Sequence, residues 1–418
     1  MNTHKCNGGS VKGLSSFLGL RIIELGNFIT APYCSKLFAD LGAEVIKVEK
    51  PGTGDEARSN GPFPGDKPHP EKSGLFIYLN GNKMGITLNL ETATGKDIFR
   101  RLICESDILI ENNPPGFLEG LGLSYETLSR LNPKMIVISI TPFGQSGPYK
   151  DYKAYSINCA AGGGESNCIG EPSREPLAPP LSLGGYQAGV MAAGASMVAL
   201  FAREKEGKGQ HVDISEAEVW AKMHTSLMVH NFVFGGKKRT RTGHRTLGFY
   251  PYTVLPCKDG YVSLIAVLGT QWKKFLEIVG GGRIPDWYAN EPKFSDRWVN
   301  SLKYADELDG FLKPWLMSHT REEIFSQCQE KRIPFAPVRT VDEVVNSNDL
   351  KERNFFVETK HPCAGKTKYP GPPFKLSSMP LKLSGHAPLL GQHNEKIYCG
   401  RLGYSKHHLV KLRRTGVI

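Results

Sequence analysis

The sequence predicts an α/β fold, with a larger α/β domain built on a parallel sheet and a smaller α+β domain. Three observations carry that expectation. Strand-like and helix-like segments alternate through the first half of the chain, the pattern of β–α–β units. The strand-like runs are continuously apolar, as in strands covered on both faces. At 418 residues the chain exceeds one core, since about 150 residues make a domain, so two or three domains are expected.

The elements come in this order. Leu20 to Leu25 (LRIIEL) reads as a short strand. Pro32 then stands where a first helical turn accepts proline, Leu37, Phe38 and Leu41 keep helical spacing, and Gly42 closes that helix. Glu44 to Val48 is a second strand, Lys96 to Cys104 a helix, Ile108 to Ile110 a strand and Met135 to Ile140 (MIVISI) a buried strand. Ala188 to Arg203 is an Ala/Gly-rich helix, small on one face and suited to close packing. At Phe234 the composition changes: FGGKKRTRTGHR is glycine-bounded and polar, a linker or exposed loop. Gly248 to Val267 has a hairpin pattern, with Lys-Asp-Gly before an alternating strand, and Trp272 to Val279 is helical. Pro334 to Pro380 is rich in proline and glycine, and long extended crossings are expected there. KHHLVKLRR (Lys406 to Arg414) fits a final helix with cations near its carboxyl end. The expected division is 1–225 for the first part of the large domain, 226–335 for the linker and small domain, and 336–418 for a return to the large domain.

Composition narrows the function. Forty per cent hydrophobic and 22% charged residues are ordinary globular values and exclude a disordered or fibrous chain. The 52 Lys and Arg against 41 Asp and Glu give +11, which favours an anionic partner such as a nucleotide, a carboxylate or a polyanion. The nine cysteines, Cys6 among them, are odd in number, lack a CxxC pair and have no accompanying His tract. No disulfide framework and no metal site is therefore expected, and reduced thiols fit a cytoplasmic protein. MNTHKCNGGSVKG has no apolar signal core, and the apolar run Ala188 to Ala202 is shorter than the ~20 residues of a membrane span. A soluble protein with no membrane partner is the expectation.

Generic motifs leave the chemistry open. GxxxxGK[ST], a GxGxxG opening a helix after a strand, and GxSxG are all absent. Ala160 to Gly164 (AAGGG) suits a tight joint as well as a ligand loop. The cations Lys237, Lys238, Arg239, Arg241 and Arg245 suit a solvated loop or an anion site, and without interleaved aromatic residues they do not point to nucleic acid.

Longer strings carry more. GLRIIELGNFITAPYCSKLFADLGAEVIKVEKPGTGDEAR, LNGNKMGITLNLETATG, DILIENNPPGFLEGLGLSYETL and TPFGQSGPYKDYKAY resemble, in this order, blocks of the family III CoA-transferases. GKGQHVDISE, YTVLPCKDGYV, APLLGQHNE and LRRTGVI continue the match over nearly the whole chain. The resemblance implies a Rossmann-like large domain, a smaller domain, a C-terminal return, and two chains interlocked in a dimer. It also implies ping-pong exchange, in which an aspartate attacks an acyl-CoA thioester and becomes a mixed anhydride, then an aspartyl-CoA thioester. Acyl-CoA is then a substrate, and no cofactor is permanently bound.

In the family that aspartate lies in a Gly-Asp pair opening the Ala/Gly-rich helix. Here the context reads Leu183-Gly184-Gly185-Tyr186-Gln187-Ala188-Gly189, so Gly185 stands at the aspartate position and no catalytic residue is assigned. Glu165, Glu171 and Glu175 are the nearest carboxylates before it in the chain. Lys50, Leu88, Asn112, Lys153 and Tyr155 stand where the resemblance places CoA contacts. Cations expected at three other positions are replaced by Met84, Gly120 and Glu91. Each lost arginine removes a phosphate contact worth on the order of 1.5–3 kcal/mol. The racemase branch of the family needs a His and an Asp, and those positions hold Tyr155 and Gly185.

The resemblance and the missing aspartate together imply a nucleophile-lacking subunit of a heteromeric CoA-transferase, whose partner is a paralogue carrying the Gly-Asp pair. The resemblance implies transfer from succinyl-CoA to an organic acid, an aromatic dicarboxylate such as (R)-benzylsuccinate. Arg241 or Arg245 is expected to bind the free carboxylate of that acid. An active homodimer with a displaced carboxylate, and a regulatory protein that senses acyl-CoA, are the competing expectations.

Overall fold

Ile22 and Ile23 put one apolar side chain on each face of β1 (Arg21–Leu25), and each joins a different core cluster. Such a strand needs cover on both sides, and the later elements supply it. In order they are α1 (Thr30–Asp40), β2 (Glu44–Glu49), α2 (Gly74–Asn80), β3 (Met84–Thr87), α3 (Ala93–Cys104) and β4 (Ile108–Glu111). Next come α4 (Phe117–Gly120), α5 (Tyr125–Leu131), β5 (Ile136–Thr141), α6 (Ser156–Gly162), α7 (Leu183–Glu206), β6 (His211–Ser215) and α8 (Glu216–Met223). The computed structural model describes residues 17–223, 226–246, 248–294, 302–378 and 385–418. Cys6 and the amino-terminal stretch 1–13 lie outside the described residues, as does the end of the expected 334–380 crossing.

The strands pair in parallel in the order β3-β2-β1-β4-β5-β6. The chain starts in the middle of the sheet and winds outwards both ways. Connections therefore leave β1 and β4 in opposite directions, and a crevice opens beyond their carboxyl ends. The doubly wound sheet agrees with the α/β fold expected from the sequence.

The described residues fall into two units, one of Met1–Glu165, Pro179–Ser226 and Lys351–Ile418, the other of Ser166–Ala178 and Leu227–Leu350. In the first, the C-terminal segment closes the free edge of β3: His393 Nδ1 accepts from the Gly85 amide at 3.0 Å, and Asn394 Oδ1 from the Thr87 amide at 2.9 Å. The second holds the antiparallel strands β7 (Tyr252–Cys257), β8 (Gly260–Ile265) and β9 (Ala336–Pro337), over a core that includes Trp272, Phe275 and Leu312.

Two expectations need correction. The 334–380 segment is not only extended crossings: Val341–Asn346 and Asn348–Glu352 are helical, and Phe356–His361 pairs with Gly365–Pro370 as a hairpin. Glu343 accepts from the Thr340 amide at 2.8 Å, a capping contact that outweighs the local proline and glycine content. The Ala/Gly-rich helix is also longer than its apolar run. Among the described helices α7, with 24 residues, is long and apolar enough to cross a membrane. Its small residues Ala188, Ala192 and Ala199 are buried in the cluster formed with α1, β5 and β6, while Val190, Met197, Val198 and Phe201 on other faces are exposed.

Candidate active site

Two cavities open at the crevice between β1 and β4. The larger, about 760 Å³, is lined by Lys50, Leu88, Glu91, Phe63, His69 and Phe117 among others. The smaller, about 250 Å³, is lined by Ile29, Thr30, Asn112, Tyr155, Gly185 and Glu216 among others. Asn27 and Glu56 line both, so the two adjoin.

The loop 26–30 forms the shared wall, and its shape is imposed from below. Phe28 has φ +65°, a left-handed conformation that a bulky side chain rarely adopts. Asp55 Oδ1 accepts from the Phe28 amide at 2.9 Å. Asn112 clasps the loop on its other side: Nδ2 donates to Asn27 O at 2.7 Å and Thr30 Oγ1 at 2.8 Å, while Oδ1 accepts from the Asn27 amide at 2.8 Å. Lys47 Nζ, fully buried, donates to Gly26 O at 3.1 Å and pairs with Glu24 and Asp55, both at 2.6 Å. Lys83 adds a 2.8 Å pair to Glu24. Burial works against the Glu24 carboxylate, yet Lys47 and Lys83 hold it at about 2.

The larger cavity is poor in available cations. Lys50 is 3.9 Å from Glu91, so its charge is partly offset at the rim. Arg58 is buried and committed to Glu49 at 2.6 Å and Glu71 at 2.7 Å. Gly120 is exposed in α4, whose Phe117 and neighbouring Leu121 line the cavity, and a side chain there would meet open space. Met84 packs against the core cluster and lines neither cavity.

The smaller cavity is built around the start of α7. Gly185 is helical and is not among the residues with positive φ, so its backbone does not require glycine. A Cβ on it would approach Ile29 Cγ2 at 3.2 Å, a contact relieved by a shift of a few tenths of an ångström. Its amide donates to Ser156 Oγ at 3.1 Å, and Ser156 in turn donates to Glu216 Oε1. Glu216 opens α8 directly after β6 and is 6% exposed. Burial raises its pKa, only partly countered by the Ser156 hydrogen bond. The carboxyl fits there because Gly184 has no side chain: a Cβ would lie 2.5 Å from Glu216 Oε1.

The structure thus divides the residues singled out in the sequence. Lys50 and Leu88 line the larger cavity, and Asn112, Tyr155 and Gly185 the smaller. Lys153 is exposed and lines neither. Arg241 and Arg245 belong to the second unit. There Arg241 Nε donates to Glu171 O at 3.2 Å, and Arg245 pairs with Asp306 at 2.7 Å and Asp309 at 2.6 Å. Glu165 lies in the first unit, outside the smaller cavity; Glu171 and Glu175 lie in the second. The AAGGG run ends in a tight joint, since a Cβ on Gly163 would lie 2.5 Å from Trp220 Cβ. Sequence reasoning missed Ser156, Glu216, Asn27 and Glu56. Asn27 carried a signal as a polar residue just past the carboxyl end of β1, and Glu216 would have carried one had β6 been read as a strand.

Known proteins share this architecture. The model of the CoA-transferase family III matches residues 17–394. The chain is 33% identical over 403 residues to a succinyl-CoA–D-citramalate CoA-transferase of Chloroflexus aurantiacus, covering 96% of this chain and 97% of that one. It is 31% identical over 415 residues to the succinyl-CoA:(R)-benzylsuccinate CoA-transferase subunit BbsE of Thauera aromatica, covering 96% and 98%. Among solved structures, a CAIB/BAIF family protein from Brucella suis superposes with a TM-score of 0.80 at 28% identity, covering 91% of this chain and 98% of that one.

Proposed function

The chain belongs to CoA-transferase family III, and from that premise we propose that it is the aspartate-lacking subunit of a heteromeric enzyme that moves CoA from succinyl-CoA to an organic acid. One observation carries this reading: Gly185, at the aspartate position, lines a cavity that has room for a carboxylate but receives none from that position. A paralogous chain with an intact Gly-Asp pair then supplies the main acyl carrier. Interlocking with that chain is part of the proposal, as is a division into a large and a small domain, with 166–178 and 336–350 counted in the small one because Ala336 and Pro337 pair with β8. Two relatives support the donor and the acceptor class. Both use succinyl-CoA by name, and both named acceptors are succinates substituted at C2. A C2-substituted succinate, with (R)-benzylsuccinate as the reference, is the proposed acceptor. Co-expression with such a paralogue tests the assembly. Native mass measurement should show both chains in equal numbers, and a preparation that remains a homo-oligomer beside the paralogue overturns it.

In that complex Arg241 is the stronger candidate for the acceptor's free carboxylate, because Arg245 is already paired with two aspartates. Arg241→Ala should raise the KM for the acid about tenfold, a loss of roughly 1.4 kcal/mol, with assembly unchanged. A KM within about twofold of the original reduces the basic run to a linker.

Gly185→Asp should fold, since the position is helical, and should form a trappable aspartyl-CoA. Turnover at low succinyl-CoA should still fall about two orders of magnitude short of an aspartate-bearing pair. Glu91 and Gly120 leave the CoA phosphates with at least two contacts too few, each worth on the order of 1.5–3 kcal/mol. Full activity in the single variant would show that the larger cavity binds CoA well as it stands.

A further inference from the structure

We propose that Glu216 gives this chain an acyl-carrier carboxylate of its own, held in the cavity that Gly185 leaves open. The proposal rests on the CoA-transferase reading and goes beyond the subunit assignment, for it makes the two-chain enzyme one with two unequal sites.

Four features converge. Glu216 comes directly after the carboxyl end of β6 in a doubly wound sheet, the side on which such folds place their chemistry. Its Oε1 lies beside Gly184, one residue before the aspartate position, and the absence of a Cβ there lets it in. It lines the smaller cavity together with Gly185, Asn112 and Tyr155. Ser156 links it to the Gly185 amide, which fixes the carboxyl towards the start of α7. Burial also makes the ionised form a stronger nucleophile than a solvated carboxylate, because less water must be removed before it attacks. Glu56, the other carboxylate lining the cavity, is exposed and lacks this preparation.

The chemistry balances without another reactant. A Glu216 oxygen attacks the acyl carbon of succinyl-CoA, a C–O bond forms, the C–S bond breaks, and CoA leaves as thiolate. The thiolate attacks the glutamyl carbon of the resulting anhydride, releasing succinate and leaving a glutamyl-CoA thioester. The acceptor carboxylate attacks that thioester and expels the thiolate, which then attacks the acceptor acyl carbon. Acyl-CoA product leaves and the Glu216 carboxylate is restored.

Trapping tests this directly. The assembled complex is exposed to succinyl-CoA, treated with hydroxylamine and digested. The expected result is a glutamyl hydroxamate at Glu216, within the tryptic peptide that begins after Lys208 and ends at Lys222, absent from Glu216→Gln. The variant is also its own folding control. The folded pKa of Glu216 lies above its ordinary value, so its carboxylate costs stability once the pH rises past the unfolded value of 4.5. Glu216→Gln should therefore unfold at pH 7 at the same or a higher temperature. Should it fail to fold, Glu216→Asp keeps the carboxylate but draws it back by one methylene, and should lose most of the label. Label on the partner's aspartate alone overturns the inference and leaves the subunit reading standing. Label on neither chain overturns both. Label at Glu216 without any partner upholds the inference and overturns the need for a second chain.

Discussion

Lys47→Met should destabilise the first unit by about 3–5 kcal/mol, the usual cost of removing one partner from a buried ion pair. The side chain is fully buried, and its ammonium meets Glu24 and Asp55 at 2.6 Å each. Methionine fills nearly the same volume, so the loss is electrostatic and not a cavity effect. Glu24 keeps Lys83 and the Ser35 hydroxyl as partners, but Asp55 loses the cation it is paired with. Asp55 also holds the Phe28 amide, so the strained loop that walls both cavities loosens with it. Urea unfolding should show the midpoint fall by an amount equivalent to several kcal/mol with little change in slope. A change below about 1 kcal/mol would mean that the network relaxes around the loss, and that Asp55 keeps its hold on the Phe28 amide without Lys47.

The fold was largely readable because its signals are local. LRIIEL, MIVISI and the Gly42 and Pro32 punctuation mark elements within a few residues of where they form. The strand β6 (HVDIS) was not read as one, since at the sheet edge His211 and Asp213 are exposed and the apolar run is broken. The helix at Val341–Asn346 was hidden by the proline-rich surroundings, although Thr340 and Glu343 have the spacing of a capping pair.

The site was readable only in part, for a physical reason. Gly185 could be set at the aspartate position only through the resemblance, because its neighbours Leu183, Gly184, Tyr186, Ala188 and Gly189 keep the register of a family block. Glu216 drew no notice, since β6 before it was not read as a strand and its place in the cavity depends on the missing Cβ of Gly184, far earlier in the chain, and on Ser156 from a third element. The role of Arg245 was equally distant: its carboxylate partners lie 61 and 64 residues away, so a run of cations gave no hint of them.

In the two-chain enzyme proposed above, the main turnover belongs to the second chain. Succinyl-CoA-dependent CoA transfer to a C2-substituted succinate, measured for the purified chain alone and for the co-purified pair, tests this most directly. Under this proposal the aspartate comes from the second chain. Under the same proposal the lone chain relies on Glu216, beside a cavity whose exposed Lys50 faces Glu91. The lone chain should therefore turn over at less than about 1% of the rate of the pair, a difference of at least roughly 2.7 kcal/mol in the barrier. Equal rates, with the partner adding nothing, would contradict it.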